Sequence, residues 1–353
     1  MHFNKNDKIG PYTVTFPHKQ GAYAETYRVK DMSGKTCFLK LINYSKLNRS
    51  QIDDSGRVTE VEIARQLCHR NLCRFIDSGH MMMDGGQYAW LVTEFVSGET
   101  LAQRVIRDDT LSVYEIKTIA KAVLSALAFL YSRPIPVIHN EVTMQNVLLN
   151  LVGELQDLKL IDFGCARFLN QPPCKPDLDE ANPFYLAPER FAGVCSVQTD
   201  LYAVGVLMYQ LLYGKLPWFV DVSPKRERDV VEHILAEREK DLDLPDVDKF
   251  EMDEQLRNVI AKALCYEAED RFQTAEEFTR AIDGEIRVER PSTRRKVLSQ
   301  PSSDNQVARP GKKEGEGFAA IAGMDELKRQ LTEEVIEPLH NPEEYHRYGV
   351  TIP

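Results

Sequence analysis

β-Branched and aromatic residues crowd the first quarter of the chain, and apolar residues at helical spacing take over beyond Gly98. Tyr12 to Phe16, Tyr23 to Lys30 and Thr36 to Ile42 predict strands, with a turn at Asp31-Met32-Ser33-Gly34. A helix is expected from about Gln51 to Leu67. A hairpin follows, with strands near Phe75 to Met82 and Gln87 to Phe95 and a turn at Asp84-Gly85-Gly86. From Val113 to Ser132 the residues Ile116, Ile119, Ala120, Val123, Leu124, Leu127 and Leu130 recur at helical spacing. Further helices are expected over about Gln198 to Tyr213, Arg226 to Glu239, Asp253 to Cys265 and Ala275 to Ile286. Strands first and helices after make an α+β arrangement of two lobes.

From about Arg287 to Gly317 the periodicity stops, and Pro291, Ser292, Pro301, Ser302, Ser303, Pro310 and Gly311, with Arg294-Arg295-Lys296, read as an exposed basic linker. A short patterned segment then runs from Phe318 to Pro353. The expected division is 1–11 as an extension, 12–96 as a strand-rich lobe, 97–286 as a helical lobe, 287–317 as a linker and 318–353 as a tail.

Net charge of -10 argues against general affinity for nucleic acid or anionic membrane, although a local site can still take an anion with a metal. The N-terminus has no apolar core of a secretory signal. Leu201 to Tyr213, the most apolar long stretch, falls short of the roughly 20 residues that cross a bilayer and reads as a buried helix. The seven cysteines are scattered, and the nearest pair, Cys68 and Cys73, lacks metal-ligand spacing, so reduced thiols in the cytoplasm are expected.

Chemistry concentrates in ordered motifs. Ile161-Asp162-Phe163-Gly164 is followed by Ala187-Pro188-Glu189, and His139-Asn140-Glu141-Val142-Thr143-Met144-Gln145-Asn146-Val147-Leu148-Leu149 stands upstream. Asp200 lies in Gln198-Thr199-Asp200-Leu201-Tyr202, and Arg271 in Asp270-Arg271-Phe272. Together these resemble the protein kinase signature set, and the resemblance extends from about Tyr12 to Ile286. It implies a bilobal fold with Mg·ATP between the lobes and phosphoryl transfer to Ser/Thr hydroxyls of a protein substrate. By the same resemblance Asp162 and Asn146 would hold Mg2+, Lys40 would contact the α- and β-phosphates, and Glu60 would pair with Lys40. Glu62 competes with Glu60 for that role, but two residues along a helix it points elsewhere. Thr93, Glu94 and Val96 in Trp90-Leu91-Val92-Thr93-Glu94-Phe95-Val96-Ser97-Gly98 would border the adenine from the connector, and Leu148 would also line the nucleotide site. Glu141 would face the acceptor hydroxyl, Glu189 would pair with Arg271, and Asp200 would anchor the catalytic loop.

The sequence departs from that family's pattern at several points. The phosphate-covering stretch Lys19-Gln20-Gly21-Ala22-Tyr23-Ala24 keeps only Gly21 of three glycines. Phe38 stands where alanine packs on adenine, so its ring must swing aside, stack on the purine or occlude it. Glu141 replaces an aspartate and is one methylene longer, Thr143 replaces a lysine, and Asn182 a threonine. These three surround one site, which suggests a joint rewiring. Asn140 replaces an arginine that reads an activation-loop phosphate, and no serine, threonine or tyrosine occurs between Cys165 and Phe184. Switching by phosphorylation of that loop is therefore not expected. The departures leave a second reading open, a nucleotide-binding pseudokinase acting as a regulatory scaffold.

Phe318-Ala319-Ala320-Ile321-Ala322-Gly323-Met324-Asp325-Glu326-Leu327-Lys328, then Val335-Ile336-Glu337-Pro338-Leu339, Pro342-Glu343-Glu344-Tyr345 and Tyr348-Gly349-Val350-Thr351-Ile352-Pro353, are similar to the opening segment of AAA-type ATPases. That likeness implies a kinase–ATPase fusion cut before its phosphate-binding loop, with the ATPase as a partner.

Overall fold

The computed structural model describes residues 1–107, 111–150, 154–178, 181–218, 227–245 and 254–291. The linker beyond Pro291 and the 318–353 tail lie outside the described residues, as do Asp179 and Glu180 of the activation loop.

The first lobe is one antiparallel sheet built from β1 (Lys8–Ile9), β2 (Tyr12–Gln20), β3 (Ala24–Lys30), β4 (Thr36–Asn43), β5 (Phe75–Met83) and β6 (Gly86–Glu94). Its spatial order is β1-β2-β3-β4-β6-β5. Alternation decides the two faces. Tyr27 and Val29 of β3, Cys37, Leu39 and Leu41 of β4, and Tyr88, Trp90 and Val92 of β6 form an outer cluster. Ile9 is fully buried in that cluster, and β1 pairs with β2, so Lys8 and Ile9 of the expected 1–11 extension add a strand to the sheet. The β5–β6 turn is tight, with Asp84 at φ 51° and Gly85 at φ 76°, the left-handed pair that a two-residue hairpin needs.

The expected helix over Gln51 to Leu67 shrinks to α1 (Thr59–Ala64). Turn chemistry stops it on the N-terminal side. The Asp53 carboxylate accepts from the backbone N–H of Ser55 and Arg57, each at 2.8 Å. Gly56 sits at φ 77°, and Ile52 bridges to Val58, so residues 52–58 form a turn instead of a helical one.

The second lobe packs α2 (Leu101–Arg107), α3 (Val113–Tyr131), α4 (Val197–Tyr213), α5 (Glu227–Arg238), α6 (Glu254–Ala263) and α7 (Ala275–Ile282). The 19-residue α3 begins with a capping box between Ser112 and Glu115 and buries its Ile119–Leu127 stripe. The apolar stretch read as a buried helix is α4, whose Leu201, Val204 and Leu207 are inaccessible. Among the described residues no helix is long and apolar enough to cross a membrane. Between the lobes lie short strands: β7 (Gly98–Thr100), β9 (Val147–Asn150) and β10 (Lys159–Leu160) in one sheet, and β8 (Val137–Ile138) with β11 (Arg167–Phe168) in another. The last helix ends at Ile282, short of the expected Ile286, because Gly284 turns left-handed at φ 78°. Val288 still belongs to the lobe, since it is buried and bonded through its backbone to Gln255 and Asn258 of α6.

Candidate active site

The period of two on β4 that sends Leu39 and Leu41 outward turns Phe38 and Lys40 toward the second lobe. Lys40 Nζ meets Glu60 Oε1 at 2.8 Å and Asp162 Oδ1 at 2.9 Å. Glu60 is the α1 carboxylate that reaches the lysine. Glu62 faces the other way, 3.2 Å from Arg57 and 3.7 Å from Arg65. The side chains of Lys40 and Glu60 are only 12% and 7% exposed, so their attraction is little screened by water. Burial opposes the lysine's charge, but Asp162 and Glu60 outweigh it and raise its pKa well above the ordinary value. Burial lifts Glu60 above its ordinary value despite Lys40. Desolvation also works against ionised Asp162, yet Lys40 holds that carboxyl below its usual range.

Asp162 and Asn140 both adopt left-handed backbone, at φ 62° and 61°. Such strain persists only where neighbours over-determine it. For Asn140 the determinant is Asp200, fully buried on α4. Its two oxygens accept from the backbone N–H of His139 at 2.7 Å and of Asn140 at 2.8 Å, and from the Tyr131 hydroxyl at 3.1 Å. Burial raises Asp200 to about 6 in spite of those bonds. His139 packs against Phe163 with ring centroids 4.9 Å apart and a 59° tilt, with Nε2 3.2 Å from the Ile161 carbonyl and Nδ1 3.3 Å from the Glu141 N–H. That geometry describes one neutral imidazole, and burial accordingly depresses its pKa to about 4.

Asn146 donates from Nδ2 to the Glu141 carbonyl at 2.9 Å, which leaves its amide oxygen as the side chain's remaining polar atom. Both Asp162 bonds use Oδ1, and the side chain is 45% exposed to the cleft. Two hard oxygens of this kind suit Mg2+, which takes one or two protein oxygens and completes its shell with phosphate and water. The Glu141 carboxyl is pushed up to about 8, first by burial and then by the charge of Asp162. Cys165 and Asn146 hydrogen-bond it, whereas Asn182 spends its oxygen on the Phe184 N–H at 3.1 Å. Cys165 is thus a partner of Glu141 that the sequence did not single out.

Lys40, Glu60, Thr93, Glu94, Val96, Leu148 and Asp162 line one cleft of about 550 Å³ between the lobes. Phe38 forms part of its wall, edge-on to His18 at 6.1 Å, and leaves that volume open. Glu94 is doubly tied: its backbone N–H bonds the Arg74 carbonyl at 2.9 Å, and its carboxylate meets Lys159 at 2.9 Å. Gly21 lies at the tip of the β2–β3 hairpin, where its N–H donates to the Ala24 carbonyl at 2.8 Å. Beside it, Tyr23 is a site residue that sequence reasoning passed over. Its hydroxyl stands 3.0 Å from Lys40 Nζ.

Farther out, Arg271, 1% exposed, makes a two-pronged pair with Glu189 at 2.7 and 2.9 Å and also donates to the carbonyls of Cys265, Tyr266 and Gln198. Arg167 and Arg190 donate to the carbonyls of Pro172 at 2.7 Å and Cys174 at 3.0 Å. The activation segment is thus held through its own backbone.

The sequence profile of the protein kinase domain matches residues 19–281. The chain is 26% identical over 232 residues to serine/threonine-protein kinase ULK3 of Xenopus laevis, covering 64% of this chain and 47% of that protein. It is 25% identical over 298 residues to the probable serine/threonine-protein kinase PknB of Lactococcus lactis, covering 82% and 44%. It is 30% identical over 225 residues to a titin homolog of Caenorhabditis elegans, covering 63% and 1%. In each case the matched stretch is less than half of the relative.

Proposed function

Since the chain belongs to the protein kinase domain family, we propose that it transfers the γ-phosphoryl group of ATP to serine or threonine hydroxyls of protein substrates. The observation that carries this reading is the convergence of Lys40, Glu60 and Asp162 within 2.9 Å contacts at the head of an open interlobe cleft. Phosphoryl transfer needs positioning and charge neutralisation more than covalent help, and these groups supply both. Lys40, fixed by Glu60, would neutralise and orient the α- and β-phosphates. Asn146 and Asp162 would hold Mg2+, which when bound draws charge from the transferring group. Glu94 would offer adenine its carbonyl, its N–H being taken by Arg74, and Val96 would complete the edge. Leu148 lies on the cleft wall where the base would rest. Glu141 would orient the acceptor hydroxyl, and its raised basicity suits it to take that proton once ionised.

Arg167 and Arg190 already occupy themselves with backbone carbonyls, which supports a domain not switched by activation-loop phosphorylation. The likeness of residues 318–353 to AAA-type ATPases supports an attached ATPase as a regulated partner. Tyr23, seated on Lys40, favours the second reading, a nucleotide-binding regulatory scaffold. Label transfer from γ-labelled ATP to the chain itself and to generic basic proteins separates the two. Wild type is expected to transfer, and Glu141→Ala and Asp162→Ala to lose at least 100-fold in rate. Binding without transfer in the wild type points to the scaffold, and transfer surviving in Asp162→Ala defeats the magnesium assignment.

A further inference from the structure

Lys40 carries a third partner besides its two carboxylates. The Tyr23 hydroxyl accepts from Nζ at 3.0 Å, and the lysine lies 5.0 Å from the centre of the Tyr23 ring. The same hydroxyl donates toward Glu60 Oε2 at 3.5 Å. It also presses on Gly164, where a Cβ would come within 1.8 Å of the hydroxyl oxygen. The backbone holds the residue in place, since the Tyr23 carbonyl accepts from the Asn43 N–H at 2.9 Å, at the end of β4. One side chain at the hairpin tip thus reaches Lys40, Glu60 and the Gly164 position beside Asp162. On the reading above Lys40 would contact the nucleotide's phosphates, so a phosphate oxygen would compete with this hydroxyl for Nζ.

Resting on the nucleotide reading above, we propose that Tyr23 is a gate whose hydroxyl substitutes for a phosphate oxygen on Lys40. The nucleotide's phosphates must evict it before Mg·ATP is fully seated. The gate keeps Lys40, Glu60 and Asp162 assembled before the nucleotide arrives, and it lowers the apparent affinity for phosphates by the fraction of molecules that are closed. With nine molecules in ten closed, the penalty is about ten-fold, the size expected from one hydrogen bond to a charged group. The base contacts the connector and not the gate, so adenosine escapes the penalty.

The test uses the full chain as wild type, Tyr23→Phe and Tyr23→Ala, with affinities for Mg·ATP and for adenosine measured by calorimetry. Both variants should bind Mg·ATP about ten-fold tighter than wild type, with adenosine unchanged within two-fold. The two substitutions differ in bulk, so agreement between them traces the effect to the hydroxyl. Equal Mg·ATP affinity in all three proteins, or an equal shift for adenosine and ATP, overturns the gate alone. Failure of all three to bind Mg·ATP, while each still melts cooperatively, overturns the nucleotide reading and the gate with it.

Discussion

Asp200 accepts from the His139 backbone N–H, and the two groups affect stability in opposite directions as pH changes. In an unfolded chain a histidine ionises near 6.5, whereas burial holds His139 near 4. Its contribution to stability is therefore complete above pH 6.5 and disappears as pH falls through 4, a change of about 3 kcal/mol. Asp200 runs the other way. Its pKa is raised from 3.8 to about 6, so its contribution is complete below 3.8 and lost as pH rises through 6. In the wild type the two slopes largely cancel across the weakly acidic range. Replacing His139 by Phe should expose the Asp200 slope: the stability deficit of His139→Phe, measured by urea unfolding, should shrink by about 3 kcal/mol between pH 7 and pH 4. A deficit independent of pH would mean the imidazole is not held neutral. That Asp200 would anchor this loop was legible from its motif. That His139 would serve as a neutral bridge was not, because a lone histidine in a sequence does not reveal what either ring nitrogen meets.

Among the elements, β4 and β6 were the most legible, since period-two alternation of bulky residues states both the strand and the side it buries. The helix before β5 was the least. Gln51 to Leu67 has helical composition, but Asp53 and Gly56 close a turn whose local hydrogen bonds outcompete helical ones. The connector poses a different problem, close backbone approach. At Gly98 a Cβ would lie 2.1 Å from the Leu149 carbonyl oxygen, across the β7–β9 pair. The neighbour there is backbone and has no rotamer through which to yield. Gly98→Ala should therefore cost roughly 2 kcal/mol and lower the melting temperature by several degrees. An unchanged melting temperature would show that the two strands separate at little cost.

Across the whole molecule, the second lobe depends on a buried cation. Arg271 is 1% exposed, and among the described residues its carboxylate partner is Glu189, 82 residues away in sequence. Removing that partner strands the charge, so Glu189→Ala should destabilise the domain by roughly 3 kcal/mol or more in chemical denaturation. Glu189→Gln keeps an acceptor and should lose less. Equal losses would place the effect in packing and not in charge.

Order and spacing of the motifs were enough to determine the two-lobed α+β class and the strand that carries Lys40, because alternation and motif order are local properties of a chain. The tertiary structure alone decided that Cys165 meets Glu141 while Asn182 turns to the Phe184 N–H, and that the Tyr23 hydroxyl reaches Lys40. Each of those is a choice among side chains of similar chemistry. What settles it is direction, and direction is set only when distant strands and helices pack and leave a charged group one way to face.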